Sequence, residues 1–205
     1  MNRPLGRRNA DFDASRSELL ERITRSVIDS PHRSSFAELA AASGVSRTTL
    51  RHYFGTREQL LAAMLVHMEF LGRQANERHP VPQGLALAED LRLALDRLVF
   101  AWRVGVGSLF VAGLLWGLED AALGPAYVQN LLEPLLVGFE QRLQTHLRAH
   151  GMDEQRARHA ALALVSPVVL ALLHQESLHG VTCRPLDIDA FLREHLGHFL
   201  RSWCA

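Results

Sequence analysis

Residues 35–60 decide how this chain folds: Ser35-Phe36-Ala37-Glu38-Leu39-Ala40-Ala41-Ala42-Ser43-Gly44-Val45-Ser46-Arg47-Thr48-Thr49-Leu50-Arg51-His52-Tyr53-Phe54-Gly55-Thr56-Arg57-Glu58-Gln59-Leu60. Ser35 and Glu38 have the spacing of a capping box, in which a hydroxyl accepts from an orphan N–H and the carboxylate three residues on bonds back. Phe36, Leu39 and Ala40 recur on one helical side. Gly44 stands where a left-handed residue stops that helix, Val45 plugs the angle, and Ser46 caps the next one. Steps of about 100° then put Leu50, Tyr53 and Phe54 on one side of the second helix. Thr48, Thr49, Arg51 and His52 fall on the other, with Arg47 in the exposed first turn. Gly55 ends that helix. Thr56 and Gln59 form a second capping box for a long amphipathic helix running past Leu60, Leu61 and Met64. The pair forms a helix-turn-helix with an apolar back and a polar front, the form that reaches base edges in a DNA major groove. The competing reading is a plain helical hairpin whose polar side faces water; two capping boxes and the Gly-Val-Ser turn in one register argue against it.

The rest of the chain reads as helices. Apolar periodicity without strand-like alternation covers about 85–105, 107–120, 124–150, 153–179 and 187–204. Breaks are expected at Pro80 and Pro82, Gly124-Pro125, Gly151 and Gly180 to Pro185. Residues 1–14 read as a flexible arm before a helix capped by Ser15 with Glu18, and Arg3, Arg7 and Arg8 could carry that arm into a minor groove. The fold class is therefore all-α. Its parts are an arm over 1–14, a helix-turn-helix DNA-binding domain over 15–60, and a helical body over 61–205.

Composition limits the function classes. The 205 residues hold 22 basic and 22 acidic side chains, with no lysine among the bases. Residues 1–60 hold ten arginines against seven acids, and the remainder twelve against fifteen. The basic end coincides with the helix-turn-helix, as an electrostatic DNA contact requires. Hydrophobic residues make up 48% and charged residues 21%, an ordinary globular balance. No uninterrupted run of eighteen apolar residues and no signal-like N-terminus is present, so no membrane role is expected. Two cysteines, Cys183 and Cys204, fit a reducing cytoplasm. No Gly-rich phosphate loop, nucleophile elbow or paired-carboxylate motif appears, so neither an enzyme nor a cofactor is expected. His146 with His150, and His195 with His198, have helical spacing for two metal ligands, but no third ligand completes either pair. Cys183 beside Arg184 is a candidate sensing thiol on weak grounds.

The run Glu38-Leu39-Ala40, Gly44 to Leu50, Tyr53-Phe54 and Arg57 to Leu60 resembles the TetR family of bacterial transcriptional regulators. Arg51 departs from the pattern, since members usually carry tyrosine there, and the link Asp29 to Arg33 is shorter than usual. The resemblance implies that Arg47, Thr48, Thr49, Arg51 and His52 face the groove, while Ser34, Ser35, Tyr53 and Arg57 meet phosphates. Hydroxyls, helix N-termini and arginines suit those tasks. It also implies a homodimer on a palindromic double-stranded operator, paired through the last two helices, with Leu164, Val168, Leu172, Phe191, His195 and Phe199 at the interface. An effector pocket for an apolar or amphipathic small molecule is implied among Met64, Met68, Phe100, Trp102, Arg103, Phe110, Trp116, Tyr127 and Leu131. Gly105, Gly107, Gly113 and Gly117 weaken the helices there, which suits a region that shifts. The functional expectation is a ligand-responsive dimeric regulator, most often a repressor in this family. The alternative is a helical module that uses the same face to bind protein and never DNA.

Overall fold

A computed structural model describes residues 5–31, 35–78, 84–148 and 151–203, with the side chains of 5–10 and 75–78 outside that description. It is helical, with no strand among the described residues. Among the described residues ten α-helices follow in order: α1 Leu5–Asp29, α2 Phe36–Ala42, α3 Arg47–Phe54, α4 Arg57–Arg78, α5 Leu87–Ala101, α6 Gly107–Glu119, α7 Leu123–Tyr127, α8 Glu133–Leu147, α9 Glu154–Leu172 and α10 Ile188–Trp203. Wide π-type turns cover Trp102–Val106, Val128–Leu132 and Leu173–Ser177. The helix spans match the sequence periodicity closely. Gly124 and Pro125 are the exception, lying inside the first turn of α7, where proline needs no N–H partner. Pro80 and Pro82 lie outside the described residues.

Compactness groups the chain into two units that interleave along it, a different division from a linear one at residue 60. One comprises residues 1–73 with 108–130, so α1 to α3 and most of α4 share it with α6 and α7. The other comprises 74–107 with 131–205 and holds α5 and α8 to α10.

In the first unit, residues 5–14 of the expected arm are helical. α1 begins at Leu5, and Ser15 lies inside it, its hydroxyl donating to the Asp11 carbonyl at 2.8 Å instead of capping a start. Any role for Arg3, Arg7 and Arg8 on DNA falls outside the described residues and side chains. Leu19, Leu20, Ile23 and Val27 make a buried stripe, and α1 packs on α2, which packs on α3. Leu39, Leu50, Leu60, Leu61 and Met64 are fully buried; such burial stabilises by roughly 1.5–3 kcal/mol each.

In the second unit α8 packs against α9 and α5, and α10 against α9 and α5, closing a ring of four helices. Leu164, Val168 and Leu172 of α9 point into that ring with Leu91, Leu95, Leu192 and Leu196. Asp90, in the first turn of α5, is buried, and Arg142 and His146 of α8 both reach it, His146 Nε2 at 3.1 Å. A buried carboxylate needs such partners, and the N-terminal end of a helix adds favourable dipole. Pro167 opens the α9 ladder locally because it lacks an N–H. Nearby, His195 Nε2 lies 2.8 Å from the Leu164 carbonyl, so this nitrogen carries the proton and ties α10 to α9. His198 lies against Arg201 at 3.1 Å, and no cluster of metal-ligating side chains occurs among the described residues. His150 and Cys204 are outside them.

Leu87–Glu119 and Glu154–Ser177 are long and apolar enough by length and composition to cross a membrane, although polar residues interrupt both. In this fold both supply core residues, including Leu91, Leu95, Leu164 and Val168.

The turn between α2 and α3 tests the local argument. Gly44 has φ +71° and open space around the site of a Cβ, so alanine there meets backbone strain and no clash. Gly44→Ala is expected to lower unfolding free energy by about 1–2 kcal/mol in urea titration. An unchanged midpoint would show that the turn does not need the left-handed residue.

Candidate nucleic-acid interface

The helix-turn-helix is held by local bonds of the kind its sequence spells. Ser35 Oγ accepts from Glu38 N at 3.2 Å while Ser35 N donates to Glu38 Oε2 at 3.1 Å. At the end of α2, Gly44 N donates to Ala41 O and Val45 N to Ala40 O, both at 3.1 Å, which satisfies the last carbonyls. Ser46 Oγ accepts from Thr49 N at 3.0 Å and opens α3. Gly55, at φ +74°, closes α3, and Thr56 with Gln59 caps α4 reciprocally.

With Leu50 and Phe54 buried, the polar side of α3 has no choice of direction. Arg47, Thr48, Arg51 and His52 are exposed. Neither Arg47 nor Arg51 makes an ion pair among the described residues, so both guanidiniums are free for phosphate or guanine. Thr49 is half-buried, and its hydroxyl lies 2.9 Å from Ser46 Oγ, engaged in the cap. Ser35 is exposed beside its own helix N-terminus, and Ser34 lies outside the described residues.

Two features were not legible in the sequence. Because α1 extends to Leu5, Phe12 reaches α3 and stacks on Tyr53, ring centroids 4.8 Å apart, with its edge against His52 at 5.5 Å. Arg16 donates to the Tyr53 carbonyl at 3.3 Å and lies over the Phe54 ring at 4.9 Å. The C-terminal end of α3 is thus clamped from α1, and the Tyr53 ring is committed to packing. The second feature concerns Arg57, which faces Glu119 at the end of α6 with 3.8 Å between charged atoms. Glu58 beside it is fully exposed and stays ionised, because its own backbone N–H in the first turn of α4 and the Thr56 hydroxyl hold its carboxyl below the ordinary range.

The residues expected around an effector divide between the units. Met64, Met68, Phe110, Trp116 and Tyr127 are buried in the first. The second holds Phe100, Trp102, Arg103 and Leu131. There Phe100 is 69% exposed, Trp102 is buried with its indole N–H donating to Ser177 Oγ at 3.3 Å, and Arg103 pairs with Glu176 at 2.9 Å. Leu131 is half-buried. An open groove of about 770 Å³ runs between α5 and α10, with Phe100, Val99, Leu192, Leu196 and Leu200 along it. Sequence periodicity could not show it, since its walls come from two helices, Leu87–Ala101 and Ile188–Trp203, far apart in the chain.

Among the residues expected between two copies, Leu164, Val168, Leu172 and Phe199 are buried in their own chain, and Phe191 and His195 are half-buried. The exposed apolar row of α9 is a neighbouring one, with Leu162 51% and Leu170 65% exposed.

Comparison with known proteins fits this geometry. Residues 30–64 match the family described as bacterial regulatory proteins, tetR family. Among solved structures, the chain is similar to the fatty acid degradation regulator FadR from Bacillus halodurans, with TM-score 0.64 and 16% identity over 90% of this chain and 94% of that one. It is similar to the transcriptional regulator FadR from Bacillus subtilis in complex with stearoyl-CoA, with TM-score 0.66 and 16% identity over 87% and 96%. The multidrug binding protein EbrR complexed with imidazole gives TM-score 0.59 and 21% identity over 88% and 93%. No curated protein matches. At these identities the structural likeness speaks for the fold, while the match over 30–64 falls on the capped turns and polar helix described above. The family match is thus to the helix-turn-helix segment of TetR-family regulators, and the rest of the chain shares the fold of the similar structures.

Proposed function

We propose that the protein is a cytoplasmic homodimeric repressor that grips a palindromic duplex through α3 and lets go when a small apolar or amphipathic effector binds. It acts by binding alone. The observation that carries this reading is the outward side of α3, where Arg47 and Arg51 are unpaired while Leu50 and Phe54 lock the helix from behind. Arg51, in the usual place of a tyrosine, brings a guanidinium able to pair with guanine O6 and N7. Arg47, Thr48 and His52 flank it, and Ser35 and Arg57 serve phosphates from two helix N-termini.

Pairing of two copies is supported by α9, which presents Leu162, Ser166 and Leu170 at four-residue spacing on its exposed side. The buried row Leu164, Val168 and Leu172 is already used within the chain, so the neighbouring row is the one available to a second copy. Leu162→Ser with Leu170→Ser is expected to shift the particle to monomer in sedimentation while monomer stability changes by less than about 1 kcal/mol. A dimer that survives the double change places the interface elsewhere.

An effector site in the first unit is supported by its buried aromatic and methionine residues, Met64, Met68, Phe110, Trp116 and Tyr127. Two similar folds hold small molecules, stearoyl-CoA in one and imidazole in the other, which supports the class of response and leaves its chemistry to this chain's own residues. The route to DNA is short. α6 carries Phe110 and Trp116 and ends at Glu119, which faces Arg57 just after α3. A shift of α6 therefore reaches the start of α4 directly. An effector that prefers the shifted geometry by a few kcal/mol releases the operator.

The decisive experiment is selection of bound fragments from random duplex DNA. It is expected to return two symmetric half-sites, with affinity falling steeply as salt rises. An intact dimer that ignores every duplex at low ionic strength would sink the reading. Salt-insensitive capture of a protein on the same face would favour the interaction module instead. On the selected operator, Arg51→Ala should cost about 1–3 kcal/mol, with relaxed preference at one base position. Unchanged affinity would remove Arg51 from the groove. Glu119→Gln removes the facing carboxylate charge from Arg57, a part-exposed pair worth less than about 1 kcal/mol. It should tighten operator binding by up to about fivefold and steepen the salt slope. Weaker binding in gel shifts would mean that the pair holds Arg57 in place for DNA.

A further inference from the structure

Tyr127 at the end of α7 is only 3% exposed, and its hydroxyl, sealed from solvent, has no hydrogen-bond partner among the described residues. The packing that seals it is tight. A Cβ built on Gly117 of α6 would lie 3.2 Å from Gly124 Cα and 3.5 Å from Tyr127 Cβ, so two glycines let the helices touch. That approach sets the Tyr127 ring edge-on to Phe110, centroids 5.5 Å apart. A phenylalanine would fill the same space, whereas a buried hydroxyl left unmet is costly. Such a group in a native fold needs an explanation. Thr24 Oγ1 and His67 Nε2 are also buried without partners. A small rotation lets a helical threonine bond to its own preceding turn, and burial favours the neutral His67 ring, whose single N–H can sit on either nitrogen. The phenol differs: its ring fixes the oxygen in place, and burial keeps it protonated well above the ordinary range. It is a standing donor.

The surroundings define what it can donate to. α6 and α7, Gly107–Glu119 and Leu123–Tyr127, contain no cationic side chain. Of the neighbouring acids, Glu119 faces Arg57 and Asp120 accepts from Ala122 N at 2.8 Å. A carboxylate or phosphate ligand would find no counter-charge on these helices, whereas a neutral oxygen would find the Tyr127 O–H. The wide turn Val128–Leu132 follows directly, a distortion common at functional sites.

We propose that Tyr127 Oη donates a hydrogen bond to the carbonyl-type oxygen of an uncharged, mainly apolar effector lying against α6 and α7. This rests on the effector reading above and assigns its ligand class. The test uses the full dimer and Tyr127→Phe with two probe pairs matched in shape. These are 2-acetonaphthone with 2-ethylnaphthalene, and cyclohexyl methyl ketone with ethylcyclohexane. Wild-type protein is expected to bind each ketone about tenfold more tightly than its hydrocarbon in calorimetry. The variant should bind all four at hydrocarbon level and melt, without ligand, within about 2 °C of wild type or above it. A ketone preference that survives in the variant overturns the proposal. So does a fall of several degrees in the ligand-free variant, which would show that the hydroxyl already has a structural partner. Equal binding of ketone and hydrocarbon by wild type removes the role of Tyr127 and leaves the effector reading standing. Binding of no probe at all overturns both.

Discussion

A reversal of the chain between Ser43 and Ser46 carries the rest of the structure's meaning. Gly44 takes a left-handed conformation, the amides of Gly44 and Val45 return to the last carbonyls of α2, and Ser46 opens α3. Together they fix where α3 begins and how it is rotated about its axis. Each residue of rotation turns a helix by about 100°, so a one-residue slip would bury Arg51 and expose Leu50. With the turn set, Leu50 and Phe54 go inward and the guanidiniums go out. The binding face follows from bonds made by backbone and hydroxyl groups that never touch a partner.

That rotation is reinforced from outside the motif. Phe12 and Arg16 hold the far end of α3 by ring stacking, a bond to the Tyr53 carbonyl and a cation over Phe54. The aromatic stack adds about 0.5–1.5 kcal/mol beyond the area it buries. The reading helix is therefore rigid at both ends. Among the described ion pairs, the one between this head and α6 of the same unit is of a different kind, a half-buried Arg57 facing an exposed Glu119 at 3.8 Å. Pairs of that sort contribute little to stability and exchange readily with phosphate. A stiff head joined through a weak tie suits a protein that must hold one geometry and give it up to a small perturbation.

The body shows how polar groups specify an apolar bundle. Asp90 with Arg142 and His146 ties α5 to α8, and His195 with the Leu164 carbonyl ties α10 to α9. Each pairs groups that would be costly to leave alone indoors, so each disfavours slipped packings of the same leucine rows. Two of these histidines had metal-like spacing in the sequence. In the fold each is committed to a neighbour on another helix.

Local chemistry was legible without coordinates. Helix spans, the capping boxes at Ser35 and Thr56, the stop at Gly44 and the outward side of α3 depend on residues within about four positions of one another. Such interactions are written into order and spacing. Ser15 was the local misreading: a plausible cap was outweighed by helix continuing from Leu5, bringing Phe12 onto Tyr53. Periodicity revealed that α9 and α10 each bury a face, but not which row met its own chain. Leu164, Val168 and Leu172 turn inward while Leu162 and Leu170 stay exposed, because α8 and α10 pack on the other side of α9. The unpartnered hydroxyl of Tyr127 and the facing of Arg57 by Glu119 likewise belong to tertiary structure alone. Sequence determines what each residue offers to its near neighbours; only packing between distant segments decides which offers are taken up and which are left open.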